Sequence, residues 1–278
     1  MLSVRFWGVR GSIPCPGPDT VIYGGNTSCI EIRADDRLLV VDLGSGARPL
    51  GDWLMANEFP KNKKIKVDFF ISHTHWDHIM GFPMFAPIYN PGAELRITGA
   101  VSEETESLKK IFETQLSPNY WPIRVDELSA KIEYKEIRET TLDLGSGLTV
   151  TTKLLNHPTL CLGYRFNYKG KSAAFVFDHE PFKDEKENEK IIQFLKGADV
   201  LIHDAQYTNE EYPNRIGWGH SSIDHAIETA SKAGVKKLVL FHHEPTHSDG
   251  QLVQYESQCA KSATLEIVMA KEGMAFQV

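Results

Sequence analysis

The chain has 278 residues, 41% of them hydrophobic and 24% charged, with a formal net charge of −7. That length supports a sizeable core, and that composition excludes a disordered or fibrous chain. With no Lys/Arg run longer than a pair such as Lys63-Lys64, the acidic balance disfavours a nucleic-acid polymer as partner and leaves a small anion at a local metal site as the compatible one.

The opening Met1-Leu-Ser-Val-Arg-Phe-Trp-Gly lacks an apolar run behind a basic segment, and no stretch approaches the ~18 apolar residues of a membrane span, so a soluble cytoplasmic protein is expected. Cys15, Cys29, Cys161 and Cys259 show no CxxC spacing and read as reduced cysteines.

Strands are predicted at 3–7, 29–33, 38–42, 66–72, 95–98, 131–136, 148–154, 162–168, 172–177, 200–203, 237–241 and 266–269. Helical periodicity occupies 103–115, 186–196 and 222–233, the last opening on the cap signal Ser221-Ser222 and closing at Gly234. No linker, repeat or low-complexity segment interrupts them, so one layered α/β domain over residues 1–278 is expected.

The segment Val67-Asp-Phe-Phe-Ile-Ser-His73-Thr-His75-Trp-Asp77-His78 runs an apolar strand into four potential metal ligands. Residues two apart on extended chain share a side, so His73 and His75 can grip one cation, while Asp77 and His78, past the turn, can face a second. Further ligand types stand at predicted strand ends: His157, Asp178 and His242. Each alone has a plain reading, as a turn, a helix start and a loop pair with His243.

In chain order these residues resemble the ligand series of the metallo-β-lactamase superfamily, and more closely its ribonuclease Z-like branch. Phe6-Trp-Gly-Val-Arg-Gly-Ser-Ile-Pro, Gly25-Asn-Thr-Ser and Val40-Val-Asp42-Leu-Gly-Ser-Gly are similar to that branch's opening hairpins. Leu201-Ile-His-Asp204-Ala-Gln is similar to its HEAT-type motif, and Gly219-His220-Ser221-Ser222 to its HST-type motif. The resemblance implies an αββα sandwich, two mixed β-sheets flanked by helices, with metals at one edge between the sheets. It implies two divalent ions, one held by His73, His75 and His157, the other by Asp77, His78 and His242, with Asp178 bridging. His243 is the rival of His242, whose strand-then-histidine spacing fits better. All-His/Asp ligation favours Zn²⁺ and also accepts Mn²⁺ or Fe²⁺.

Two divalent cations against Asp77, Asp178 and a bridging hydroxide leave one net positive charge, which suits a phosphodiester monoanion. The hydroxide would be the nucleophile and Asp77 would orient it. His220 is the expected proton donor, with Asp204 holding its ring; a helix-capping and a hydrogen-bonding role are their plain readings. Because residues 158–177 leave no room for the long tRNA-gripping arm of true ribonuclease Z enzymes, the expected function is a phosphodiesterase acting on small phosphodiesters such as cyclic nucleotides. The alternatives are a tRNA 3′-processing endonuclease, a lactone or thioester hydrolase, a phosphonate or cofactor-pathway esterase, and a non-catalytic metal-dependent sensor. The family also implies homodimers. The segment from Ser117 to Ile123 and Trp218 could wall the pocket or stack on a base, or simply pack. His179, His203, His225 and His247 match no motif and are assigned no role.

Overall fold

The computed structural model describes residues 1–101, 106–262 and 265–278. Strands β1 (Leu2–Gly8), β2 (Cys29–Ala34), β3 (Arg37–Val41), β4 (Ile65–Ile71), β5 (Ala93–Gly99) and β6 (Lys131–Glu136) make a first sheet. A second sheet takes β7 (Thr141–Asp143), β8 (Leu148–Leu155), β9 (Cys161–Tyr168), β10 (Lys171–Val176), β11 (Val200–Asp204), β12 (Lys237–Phe241) and β13 (Glu266–Met269), and β14 (Ala275–Gln277) returns to the first.

The strand orders are β14-β1-β2-β3-β4-β5-β6 and β7-β8-β9-β10-β11-β12-β13. Along each order three antiparallel ladders are followed by three parallel ones. The chain therefore builds one sheet plan twice. Residue identity does not reveal this repeat, because a sheet demands only period-two patterning.

Helices α1 (Ala47–Asn57), α2 (Phe59–Asn62), α3 (Trp76–Ile79) and α4 (Leu108–Gln115) belong to the first half, and α5 (Glu185–Leu195), α6 (Ile223–Ala233) and α7 (Asp249–Ser262) to the second. Alternation along the strands sorts the apolar side chains into three clusters. Phe6, Ile32, Val41 and Phe70 meet Val150, Phe166, Ile202 and Phe241 between the sheets. Phe69, one residue from Phe70, faces the other way and packs with Leu50, Leu54 and Phe112 of the outer helices. Val176, Leu201 and Leu240 pack with Ile191, Leu195, Ala226 and Ala230 on the far side. The result is four layers, αββα.

All twelve expected strands form, with ends shifted by no more than two residues. The unexpected ones, β7 and β14, are three-residue edge strands, too short to show alternation. Helix α6 has the expected caps: the Ser222 hydroxyl accepts from the His225 amide and Gly234 is left-handed at φ 63°. The expectation at 103–115 falls partly outside the described residues, and its described part starts at Leu108 behind a Ser107 cap. Helices α1 and α7 went unforeseen: Pro49 and Gly51 interrupt the first, and the second is mostly polar. Among the described residues no helix is long and apolar enough to cross a membrane.

Candidate metal centre

The carboxyl ends of β4, β8, β10, β11 and β12 meet at one edge of the sandwich, and each carries a ligand-type side chain. Backbone pairing fixes these ends, so side chains just beyond them are held on rigid supports. His73 leaves β4, His75 caps α3, and Asp77 and His78 sit in its single turn. His157 follows β8, Asp178 follows β10, Asp204 ends β11 and His242 follows β12.

The side chains fall into two tetrads, His73, His75, His157 and Asp178, and Asp77, His78, His242 and Asp178. Asp178 is common to both and turns one oxygen to each. Oδ2 lies 3.4 Å from His73 Nε2 and 3.8 Å from His157 Nε2; Oδ1 lies 3.2 Å from both His78 Nε2 and His242 Nε2. Asp77 Oδ2 is 3.1 Å from His78 Nε2 and 3.2 Å from His242 Nε2, and His157 Nε2 is 3.1 Å from His75 Nδ1. Ligands bonded to one tetrahedral metal at ~2.05 Å are separated by about 3.3 Å, so these spacings fit a cation inside each tetrad. His73 Nε2 and Asp178 Oδ1 are buried without a well-directed hydrogen bond, which is what donors aimed at a cation leave behind. The cluster thus fits two divalent metal ions.

Outer hydrogen bonds orient the rings. His78 Nδ1–H donates to Asp42 at 2.6 Å, His157 Nδ1–H to the Gly219 carbonyl at 2.9 Å, and His242 Nδ1–H to Gln206 Oε1 at 3.1 Å. Each thereby turns Nε2 to the tetrads. Gln206 is held in turn by donating to Glu244 at 2.7 Å, and Ser12 N–H donates to Asp77 Oδ2 at 2.9 Å. Asp42, Gln206 and Ser12 were not foreseen as site residues; only strand-end position hinted at Asp42. The backbone is strained here too, with Ser12, Asp42, Asp178 and His242 at φ between 46° and 62°. Left-handed non-glycine backbone costs on the order of 1–3 kcal/mol per residue, so the surrounding bonds must hold it.

His243 does not join the cluster. Its Nε2–H donates to the Ala270 carbonyl at 2.8 Å and its ring meets Tyr23 edge-on. Asp204 and His220 lie beside the second tetrad: His220 Nδ1–H donates to Asp204 Oδ2 at 3.0 Å and the ring stacks on His242. Asp204 also accepts from the amides of His179, Gln206 and Ser221. Of the unassigned histidines, His203 donates to its neighbour's carbonyl, and His247 pairs with Glu211. Trp121 of the Ser117 loop donates to Tyr89 and packs against the outer cluster, while Tyr120 is exposed.

Burial, aided by neighbouring histidines, depresses His73 far below the ordinary histidine pKa; burial also lowers His75 and His157 despite Asp178. Neutral imidazole is the form that binds metal. For His220 burial works against charge, but Asp204 and then Asp178 outweigh it and lift the group to about 9.

Two ligand tetrads at the edge of an αββα sandwich define a metal-dependent hydrolase. The beta-lactamase superfamily domain matches residues 54–243, and the chain belongs to the metallo-β-lactamase superfamily, in its ribonuclease Z-like branch. Ribonuclease Z of Picrophilus torridus is 26% identical over 99% of this chain and 96% of its own, and that of Pyrococcus horikoshii 25% identical over 89% and 88%. Among solved structures, the metallo-beta-lactamase fold protein YhfI from Bacillus subtilis superimposes with a TM-score of 0.71 at 19% identity, covering 100% of both chains. The short form of human tRNase Z gives 0.70 at 19% identity, covering 99% of both.

These relatives overturn one expectation. Proteins named for RNA cleavage match nearly the whole chain, so a small-molecule partner in preference to a nucleic-acid polymer does not stand. Net charge was the wrong measure, because the field at a substrate comes from a compact cationic centre and not from distant surface carboxylates. Nor do the relatives support cyclic nucleotides as substrate.

Proposed function

We propose that the chain is a two-metal RNA phosphodiesterase of ribonuclease Z type, an endonuclease that cuts tRNA precursors on the 3′ side. The observation that carries this reading is the Asp204–His220 pair beside a full set of ligand side chains. Phosphodiester cleavage expels an alkoxide that needs a proton, and this pair offers one where the ligands converge. Support also comes from the ribonuclease Z relatives that span almost the whole chain.

His73, His75 and His157 would hold one ion, and Asp77, His78 and His242 the other, with Asp178 shared. Two divalent cations there, Zn²⁺ by the donor set, would polarise the phosphoryl oxygens and acidify a bound water. Asp77, steadied by the Ser12 amide, orients the attacking water. His220, its Nδ1 proton committed to Asp204, gives its Nε2 proton to the departing oxygen. Residues 161–176 form only the β9–β10 hairpin, closed at Lys169-Gly170, so any hold on the RNA outside the centre would fall to other segments.

The test is incubation of metal-loaded protein with a tRNA precursor bearing a 3′ trailer, beside bis(p-nitrophenyl) phosphate, 2′,3′- and 3′,5′-cyclic AMP, and a His75→Ala control. Trailer release by the wild type and not by the control is expected. Hydrolysis of the small diesters with the precursor left intact would remove the RNA reading.

A further inference from the structure

The chain has five tryptophans, and two are exposed: Trp76 at 77% and Trp218 at 57%. Trp7 is buried, and Trp53 and Trp121 pack against the outer cluster of the first sheet. Both exposed tryptophans are sequence neighbours of residues of the candidate centre. Trp76 stands between His75 and Asp77, and Trp218 immediately precedes Gly219-His220. His157 links their supports, with Nε2 3.1 Å from His75 Nδ1 and Nδ1–H donating to Gly219 O at 2.9 Å.

Neither indole rides on a loose loop. The Trp76 carbonyl accepts from the Met80 amide at 2.7 Å within α3. The Trp218 segment is pinned by Glu180, a mostly buried carboxylate that accepts from the amides of Gly217 and Gly219 at 2.8 and 2.9 Å. The Arg215 guanidinium lies 4.8 Å from the centroid of the Trp218 ring. Single exposed aromatics are common on surfaces and carry no message. Two indoles on fixed backbone, each beside residues of one phosphate-cleaving centre and one joined by a cation, are the parts of a single-strand platform: π faces for bases and a positive charge for the backbone.

We propose that Trp76 and Trp218 stack on the unpaired nucleobases flanking the scissile phosphate, with Arg215 serving a neighbouring phosphate, so that the site takes single-stranded RNA and rejects a duplex end. This rests on the RNA reading above. Bases inside a duplex stack on one another, and a blunt end exposes only the outer face of its last pair. Two platforms flanking one phosphate need two unpaired bases, so selection for unpaired nucleotides follows from the platforms alone.

The test uses the metal-loaded full chain with a short single-stranded oligoribonucleotide, the same oligonucleotide carrying abasic ribose at the two positions flanking the cut, and a blunt RNA duplex. Binding is followed by tryptophan fluorescence, cleavage by kcat and KM, and metal content is assayed for each variant. Trp76→Ala and Trp218→Ala are expected to weaken binding about tenfold each, mainly in KM, with Trp76→Phe and Trp218→Phe recovering most of it. On the abasic RNA, wild type and alanine variants should converge. Equal losses on intact and abasic RNA, or no quenching by any RNA, would overturn the platforms. Cleavage with unchanged KM in both alanine variants would overturn them and leave the endonuclease standing. Quenching by intact but not by abasic RNA, without cleavage, would uphold the platforms and overturn the endonuclease.

Discussion

The His157 ring donates from Nδ1 to the Gly219 carbonyl at 2.9 Å. A ligand-type histidine after β8 is thereby oriented by backbone 62 residues further on, just before His220. The ligand tetrads and the His220 segment are joined through this carbonyl as well as through the stacking of His220 on His242.

Gly219 is therefore a sensitive position. Its φ of 85° is left-handed, and a methyl group there collides with His157 Nδ1 and Pro158. Gly219→Ala should weaken metal affinity by about 10–100-fold, read by competition with a chromogenic chelator, with little change in circular dichroism. Unchanged affinity would mean that this carbonyl does not set the ligand.

The adjacent histidines His242 and His243 make a natural contrast. His242→Ala should take bound metal from two ions toward one and lower diester hydrolysis roughly 100-fold or more. His243→Ala should keep both ions but strand the buried Ala270 carbonyl, lowering unfolding free energy by about 1–3 kcal/mol. Metal analysis and urea denaturation separate the two, and the opposite pattern would reverse their assignment.

Of the seven ligand-type side chains that converge, four were legible by local rules and three only through the resemblance of their order along the chain. His73, His75, Asp77 and His78 crowd one strand-to-helix passage, and His157, Asp178 and His242 each follow an apolar run. Asp42 and Gln206 were not legible as site residues. A carboxylate or an amide at a strand end looks alike whether it faces water or a histidine 36 residues away, and only the folded pairing of β3 with β4, and of β11 with β12, decides. Edge strand β14 was invisible for a related reason, since three residues carry too little pattern to announce a partner on β1. The choice between small diester and RNA failed differently: summed charge says little about a field set within a few ångströms of two cations.

The Asp204 carboxylate accepts four hydrogen bonds, and His220 is the donor among them that can carry charge. Asp204→Asn keeps the shape but loses the ionic hold on His220. Cleavage of RNA, whose alkoxide must be protonated as it leaves, should fall by about 10²–10⁴-fold. Hydrolysis of bis(p-nitrophenyl) phosphate, whose nitrophenolate leaves unprotonated, should fall much less. Equal losses on both substrates would assign the pair a structural role.

Away from the metals, Glu256 ties α7 to the sheet edge. Its carboxylate accepts from the Met269 amide at 3.0 Å, Lys271 at 3.0 Å and the Tyr23 hydroxyl at 2.8 Å. Burial alone would raise its pKa, but these bonds outweigh it and hold the group below its ordinary value near 4.5. Between the folded and unfolded values the unfolded chain binds more protons, so this contribution to stability is complete above about pH 4.5 and is lost as pH falls through the folded value. Glu256→Gln removes the titrating group. Its urea midpoint should lie below that of wild type at pH 6.5, and the gap should narrow as pH drops below 4.5. A gap independent of pH would show that the carboxylate contributes by shape and not by charge.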